Sequence, residues 1–211
     1  MLKLSWPLTS RHALFWFCTV TSVSVALALS WIARTEAHVH HKAEVKSQQI
    51  RVRVIPDVQL TDQNGQQVRF TSDVVRQRTA LVSFIYTSCT TTCPLVGATV
   101  AAVTDHLKND ARNLAIISIS VDPDYDTPDR LLAWRERYGD IPQWTLLTGP
   151  KREIFQLLRA LGAYSPNLEE HSEIVLVGPD AAGQWTRMSS LAAWNDVAAA
   201  VRAATVPARG N

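Results

Sequence analysis

Residues 13–33 read ALFWFCTVTSVSVALALSWIA, 21 residues with no charge and no proline. This run constrains the chain more than any other feature. At about 1.5 Å per residue, a helix of that length spans the roughly 30 Å hydrocarbon core of a bilayer. Trp16 and Trp31 stand near its ends, where interfacial aromatics sit. Lys3 and Arg11 precede it; Arg34, Lys42 and Lys46 follow, diluted by Glu36 and Glu44. The positive-inside bias places residues 1–12 in the cytoplasm and exports everything beyond 33. A signal peptide cut near Ala26-Leu27-Ala28 is the rival reading, but the apolar run continues past that point to Trp31, which favours a retained anchor. The expectation is a single-pass protein of the inner membrane with its soluble domain on the periplasmic side.

Residues 34–50 are polar and carry His38, His40 and His41, a linker whose His-x-His-His cluster is either a solvated tether or a metal site. Beyond it, 51–206 has the make-up of one globular domain, with 207–211 as a tail. Lys+Arg 21 against Asp+Glu 19 leaves a formal charge of +2 without any basic run, so nucleic acid is not an expected partner. Asn64-Gly65 is a hairpin signal between short strands at 58–60 and 67–70. Apolar runs at 80–86, 114–121, 144–147 and 173–177 read as strands, with a further short one at 184–187. Helical patterns fill 94–107, 128–138, 150–161 and 191–204, the second opened by Thr127 as N-cap and Pro128 at the first helical position. Such alternation indicates an α/β sheet flanked by helices.

Cys89 and Cys93 lie in YTSCTTTCP, just past the strand ending near Tyr86 and at the mouth of the next helix. Reactive groups in α/β sheets collect at that edge. Free N–H groups and the partial positive charge of a helix N-terminus stabilise a thiolate. Residues four apart at helical geometry project to one side. Two chemistries fit: reversible disulfide formation, and binding of a thiophilic ion such as Cu(I). A static disulfide or two unused thiols are the plainer alternatives. A soft ion between two thiolates calls for a third donor. Outside the tether and the first dozen residues the histidines are His106, late in its helix, and His171, in a polar loop before a strand. His171 is either a solvated loop residue or that donor.

The stretches LVSFIYTSCTTTCP through Pro94, SISVDPDYDTP from Ser118 to Pro128, and Glu170-His171-Ser172 leading into IVLVGPD together resemble the Sco/SenC family, over about 55–201. The resemblance implies a thioredoxin-like domain behind a membrane anchor. It implies copper ligands at Cys89, Cys93 and His171, and a role in assembling the binuclear copper centre of cytochrome c oxidase, whose copper-bearing subunit would be the partner. Three positions depart from the family's habit: Thr90 replaces a frequent proline, Glu170 a frequent aspartate, and Gly178 a frequent acidic residue. Asp122 and Asp126 either support the site loop or partner, or simply form the turn and cap the helix.

Three functions follow as expectations. The first is a copper chaperone, binding Cu(I), with Cu(II) as the alternative. The second is an enzyme, a thiol-disulfide oxidoreductase keeping the oxidase cysteines reduced, with Cys89 and Cys93 as the redox pair and Cys89 as attacker. The third is a thiol peroxidase, which the absence of any Arg in 86–103 disfavours.

Overall fold

Every residue of the strand Thr79–Ile85 is buried, because helices cover both faces of the sheet at its centre. The computed structural model describes residues 47–205 apart from 53, 108–113, 169, 170, 172 and 181. The expected cytoplasmic segment 1–12, the anchor 13–33, His38, His40 and His41 of the linker, and the tail lie outside the described residues. Among the described residues, no helix is long and apolar enough to cross a membrane.

Eight strands join in one sheet: β1 Gln48–Ile50, β2 Gln59–Asp62, β3 Gln67–Arg69, β4 Thr79–Ile85, β5 Leu114–Ser120, β6 Trp144–Thr148, β7 Ile174–Gly178 and β8 Trp185–Ser189. Their order is β1-β8-β7-β4-β5-β6-β2-β3. β4, β5 and β6 run parallel, while β7 pairs antiparallel with β4. The helices are α1 Cys93–Leu107, α2 Pro128–Glu136, α3 Lys151–Ala160 and α4 Trp194–Ala204. This is the mixed thioredoxin-like sheet with flanking helices that the resemblance implies.

The strand period of two divides the core. Leu81, Ile85 and Ile116 pack with Val96, Val100 and Val103 of α1 and Val197 and Val201 of α4. Ala80, Val82, Phe84 and Ile117 pack on the other side with Phe70 and with Ile154, Leu157 and Leu158 of α3. Ser83 and Ser118 interrupt the apolar face at equal height in the β4–β5 register. They are satisfied by each other, Oγ to Oγ 2.6 Å, and by the Trp144 Nε1–H, which donates to Ser118 Oγ at 2.9 Å. Buried polar groups that find such partners avoid a desolvation cost of about 1–3 kcal/mol each.

The Asn-Gly hairpin forms as expected. Asp62 Oδ1 accepts the N–H groups of Asn64 and Gln66, both at 2.8 Å, and Gly65 takes a φ of 78° that disfavours any side chain. Thr127 caps α2 by accepting the Arg130 N–H at 3.4 Å. Gly178 has a packing reason for lacking a side chain: a Cβ there would stand 2.8 Å from the Gln184 carbonyl and 2.9 Å from the Trp185 ring.

Some boundaries differ from the sequence reading. The last three residues of the expected linker, 48–50, form the edge strand β1, held by pairing with β8 and by Gln49 Nε2–H donating to Thr186 Oγ1 at 2.8 Å. Residues Phe70–Val75 close a π-helical turn that ends at left-handed Arg76. α4 starts at Trp194 rather than 191, since the Ala192 N–H closes a turn onto the Ser189 carbonyl and Ala193 is extended.

Candidate functional site

β4 delivers the chain at Ile85 to the sheet edge, and α1 begins at Cys93, so the intervening loop presents both sulfurs there. The structure holds both cysteines as free thiols. Cys93 N–H points at Cys89 Sγ from 3.4 Å, one of the N-terminal N–H groups of α1 that no helical carbonyl can take. Thr91 Oγ1 lies 3.6 Å from the same sulfur. Cys93 is wholly enclosed, whereas Cys89 retains 5% exposure.

These contacts separate the two thiols chemically. Desolvation is the largest influence on Cys89 and disfavours its thiolate. Donation from the Cys93 and Thr91 backbone, then from the Thr91 hydroxyl and the Cys93 thiol, together outweighs it and lowers the pKa to about 6. For Cys93 desolvation is again first and dominates. A backbone hydrogen bond from Tyr86 offsets part of it, the hydrogen bond and charge of Cys89 and the charge of Asp126 reinforce it, and the pKa rises to about 12. The pair therefore consists of a ready nucleophile and a buried reserve thiol.

A buried carboxylate secures the loop. Asp126 accepts hydrogen bonds from Thr87 N–H at 3.1 Å, Thr87 Oγ1–H at 2.5 Å and Ser120 Oγ–H at 2.6 Å. Of the two roles open for Asp126 from sequence, supporting the site loop is therefore the one these contacts favour. Asp122 does turn work, its carbonyl accepting from Tyr125 and Asp126 N–H groups; burial and then the charges of Asp126 and Asp124 push its pKa up.

His171 is buried beside Tyr86, ring against ring at 5.2 Å and near perpendicular. Tyr86 in turn accepts the Cys89 N–H on its carbonyl at 3.2 Å, so the imidazole stands one residue behind the thiol loop. His171 Nδ1 lies 3.0 Å from the Leu168 carbonyl, an acceptor only, so Nδ1 carries the proton and Nε2 keeps its lone pair. No three His, Cys, Asp or Glu side chains stand together at metal-holding distance among the described residues. His106 is elsewhere, edge-on to Trp194 at 4.9 Å. Arg130 lies over the Tyr125 ring at 3.8 Å from its centroid. Sequence reasoning did not find the Tyr86 carbonyl as the partner of the Cys89 N–H; no local pattern marks a residue that acts through its backbone.

Comparison with known proteins identifies relatives of the chain and of its fold. The sequence model of the SCO1/SenC family matches residues 46–203. The SCO1 protein homolog of Bacillus subtilis (strain 168) is 31% identical over 128 residues, covering 56% of this chain and 65% of the homolog. A SCO2-like protein of Rickettsia prowazekii (strain Madrid E) is 29% identical over 104 residues, 49% of either chain. The chain thus spans about half of most of the curated relatives it matches, and just under two thirds of the B. subtilis homolog. Among solved structures, Bradyrhizobium japonicum ScoI with copper bound superposes with a TM-score of 0.59 at 25% identity, covering 72% of this chain and 99% of that one. BsSco, described as a member of the Sco family of cytochrome c oxidase assembly proteins in which a disulfide switch was identified, gives 0.60 at 25% identity, covering 71% and 92%.

Proposed function

The chain belongs to the SCO1/SenC family, and from that premise we propose that it is a membrane-anchored copper carrier. It takes up copper as cargo on Cys89, Cys93 and His171 and delivers it to the copper centre of cytochrome c oxidase on the periplasmic side of the inner membrane. One observation carries this reading: a thiolate stabilised by a helix N-terminus and a second sulfur four residues on share the edge to which the His171 loop also comes. Two soft sulfur donors and an imidazole suit Cu(I). The copper-bound ScoI of B. japonicum, of the same fold, supports it.

Loading requires both thiols to be deprotonated. Cys89 is largely ionised at neutral pH, while the incoming ion displaces the Cys93 proton to water. His171 is the third donor in this reading, offering Nε2 while the Leu168 carbonyl holds Nδ1–H. Three-coordination leaves room for an acceptor thiolate to enter and withdraw the ion by ligand exchange.

The proton ledger supplies a test. Between about pH 7.5 and 9 the proton released on binding comes from Cys93, so Cu(I) affinity rises about tenfold per pH unit; below about pH 6 Cys89 is protonated as well and the slope is steeper. Competition titration with a Cu(I) chelator of known affinity reads both slopes. A flat profile across pH 7.5–9 contradicts thiolate loading.

A second reading draws on the same asymmetry. A low-pKa Cys89 backed by a buried Cys93 also suits a thiol-disulfide reductase, the first attacking a partner disulfide and the second resolving it. That activity needs neither copper nor His171.

A further inference from the structure

The two sulfurs share one pivot. The Tyr86 carbonyl accepts the Cys89 N–H at 3.2 Å, and the Tyr86 backbone is hydrogen-bonded to the Cys93 sulfur. The Tyr86 ring packs against the core and against His171, and its backbone runs directly into Thr87. The adjacent Thr87 is bonded twice to Asp126, through N–H and hydroxyl, at a separation of 39 residues. Asp126 is 2% exposed and is itself tied to Ser120, the last residue of β5. The β5 strand is locked in register with β4, Ile85 opposite Ser120, and the Val121 N–H extends that pairing to the Ile85 carbonyl at 2.9 Å. A closed frame results: β4 and β5 form two sides, and Asp126 bridges the third from Ser120 to Thr87. The loop bearing Cys89 leaves this frame at Thr87, with Cys93 at its far end on α1.

We propose that Asp126 is a positioning residue of the thiol site, which by clamping Thr87 to Ser120 holds Tyr86 where it brings Cys89 and Cys93 within reach of each other. The carboxylate touches neither sulfur through any of these bonds and acts through the Thr87–Tyr86 backbone. Besides its charge, which raises the Cys93 pKa and which Thr87→Val leaves in place, its effect is on proximity. Two groups held in near-attack geometry react as though at very high local concentration, and a small misplacement costs orders of magnitude in rate. Loosening the clamp therefore slows the step in which one cysteine attacks the other far more than the step in which Cys89 meets a reagent from solution. The inference rests on the proposed function only in taking Cys89 as the reacting sulfur, and it requires no copper.

The reduced full-length chain carrying Cys18→Ser, which removes its third thiol, is mixed with a chromogenic bis(nitrobenzoate) disulfide at pH 8 to resolve the two steps. The Cys89 thiolate attacks one reagent sulfur, forming a mixed disulfide and releasing the first nitrobenzoate thiolate. Cys93 then loses its proton to water and attacks Cys89 Sγ. That step expels the second nitrobenzoate thiolate and closes the Cys89–Cys93 bond. In Asp126→Asn and in Thr87→Val, the second, concentration-independent step is expected to slow about tenfold or more, and the first to change less than about threefold. Thr87→Ser, which keeps the hydroxyl, is expected to retain the wild-type closure rate. Should Asp126→Asn fail to fold, Thr87→Val carries the test alone. Closure within twofold of wild type in the folded variants, whether or not their melting temperatures fall, overturns the proposal and leaves Asp126 a structural brace. Loss of copper binding by the wild-type chain would refute the carrier reading and leave these closure rates unchanged.

Discussion

At pH 7, iodoacetamide is expected to alkylate Cys89 of the folded, reduced protein and to leave Cys93 intact until the protein unfolds. A thiolate, not a thiol, is the nucleophile. With Cys89 at about 6 and Cys93 at about 12, the two thiolate fractions differ by about five decades at this pH. The more basic thiolate is intrinsically more reactive, which returns about three decades at a Brønsted slope near 0.4–0.5. A preference of about a hundredfold remains, and complete enclosure of Cys93 adds to it. The sign of the pH dependence follows from the lowered value: the rate at Cys89 is at its plateau above about pH 7 and falls about tenfold per unit once the pH drops below about 6. Peptide mapping by mass spectrometry after timed quenching gives both rates. Equal labelling of the two cysteines would show that the helix N-terminus does not distinguish them.

Replacing either sulfur by oxygen is expected to lower Cu(I) affinity more than about a hundredfold, because loss of a supporting partner alone typically costs 10–100-fold and here a ligand itself becomes a hard donor. Cys89→Ser keeps an oxygen that can accept the Cys93 N–H, so the helix end stays matched while the soft donor is lost. Cys93→Ser puts a hydroxyl into a fully enclosed site. Both variants remain foldable, since neither cysteine is in a disulfide. Chelator competition under reducing conditions measures the loss. Wild-type affinity in Cys89→Ser would remove the pair from the carrier role.

The sheet was legible because its centre is buried on both faces, and strands in that position read as unbroken apolar runs. ALVSFI and LAIISI are of this kind, and both form where expected. β1 was not legible: Gln48-Gln49-Ile50 has neither alternation nor apolar content, and it becomes a strand only because β8 offers a free edge. The π-helical turn at Phe70–Val75 likewise rests on contacts with no local signature: Asp57 accepts the Thr71 and Ser72 N–H groups from fourteen and fifteen residues away. At the site, the placement of Cys89 and Cys93 at a strand-to-helix junction could be read directly. The Asp126–Thr87 clamp could not, because hydrogen-bond partners 39 residues apart are joined by the β4–β5 register rather than by any spacing. The conformation of His171 belongs to the same class, since its ring is fixed by Leu168 and Tyr86 in an aperiodic loop.

X-ray absorption at the copper edge, on the reduced protein loaded with one equivalent of Cu(I), reads the donor set itself. Two sulfur scatterers and one imidazole nitrogen are the expected shell, with the nitrogen lost in His171→Ala and the two sulfurs kept. A shell of sulfur alone, identical in wild type and His171→Ala, would contradict a carrier built on all three residues.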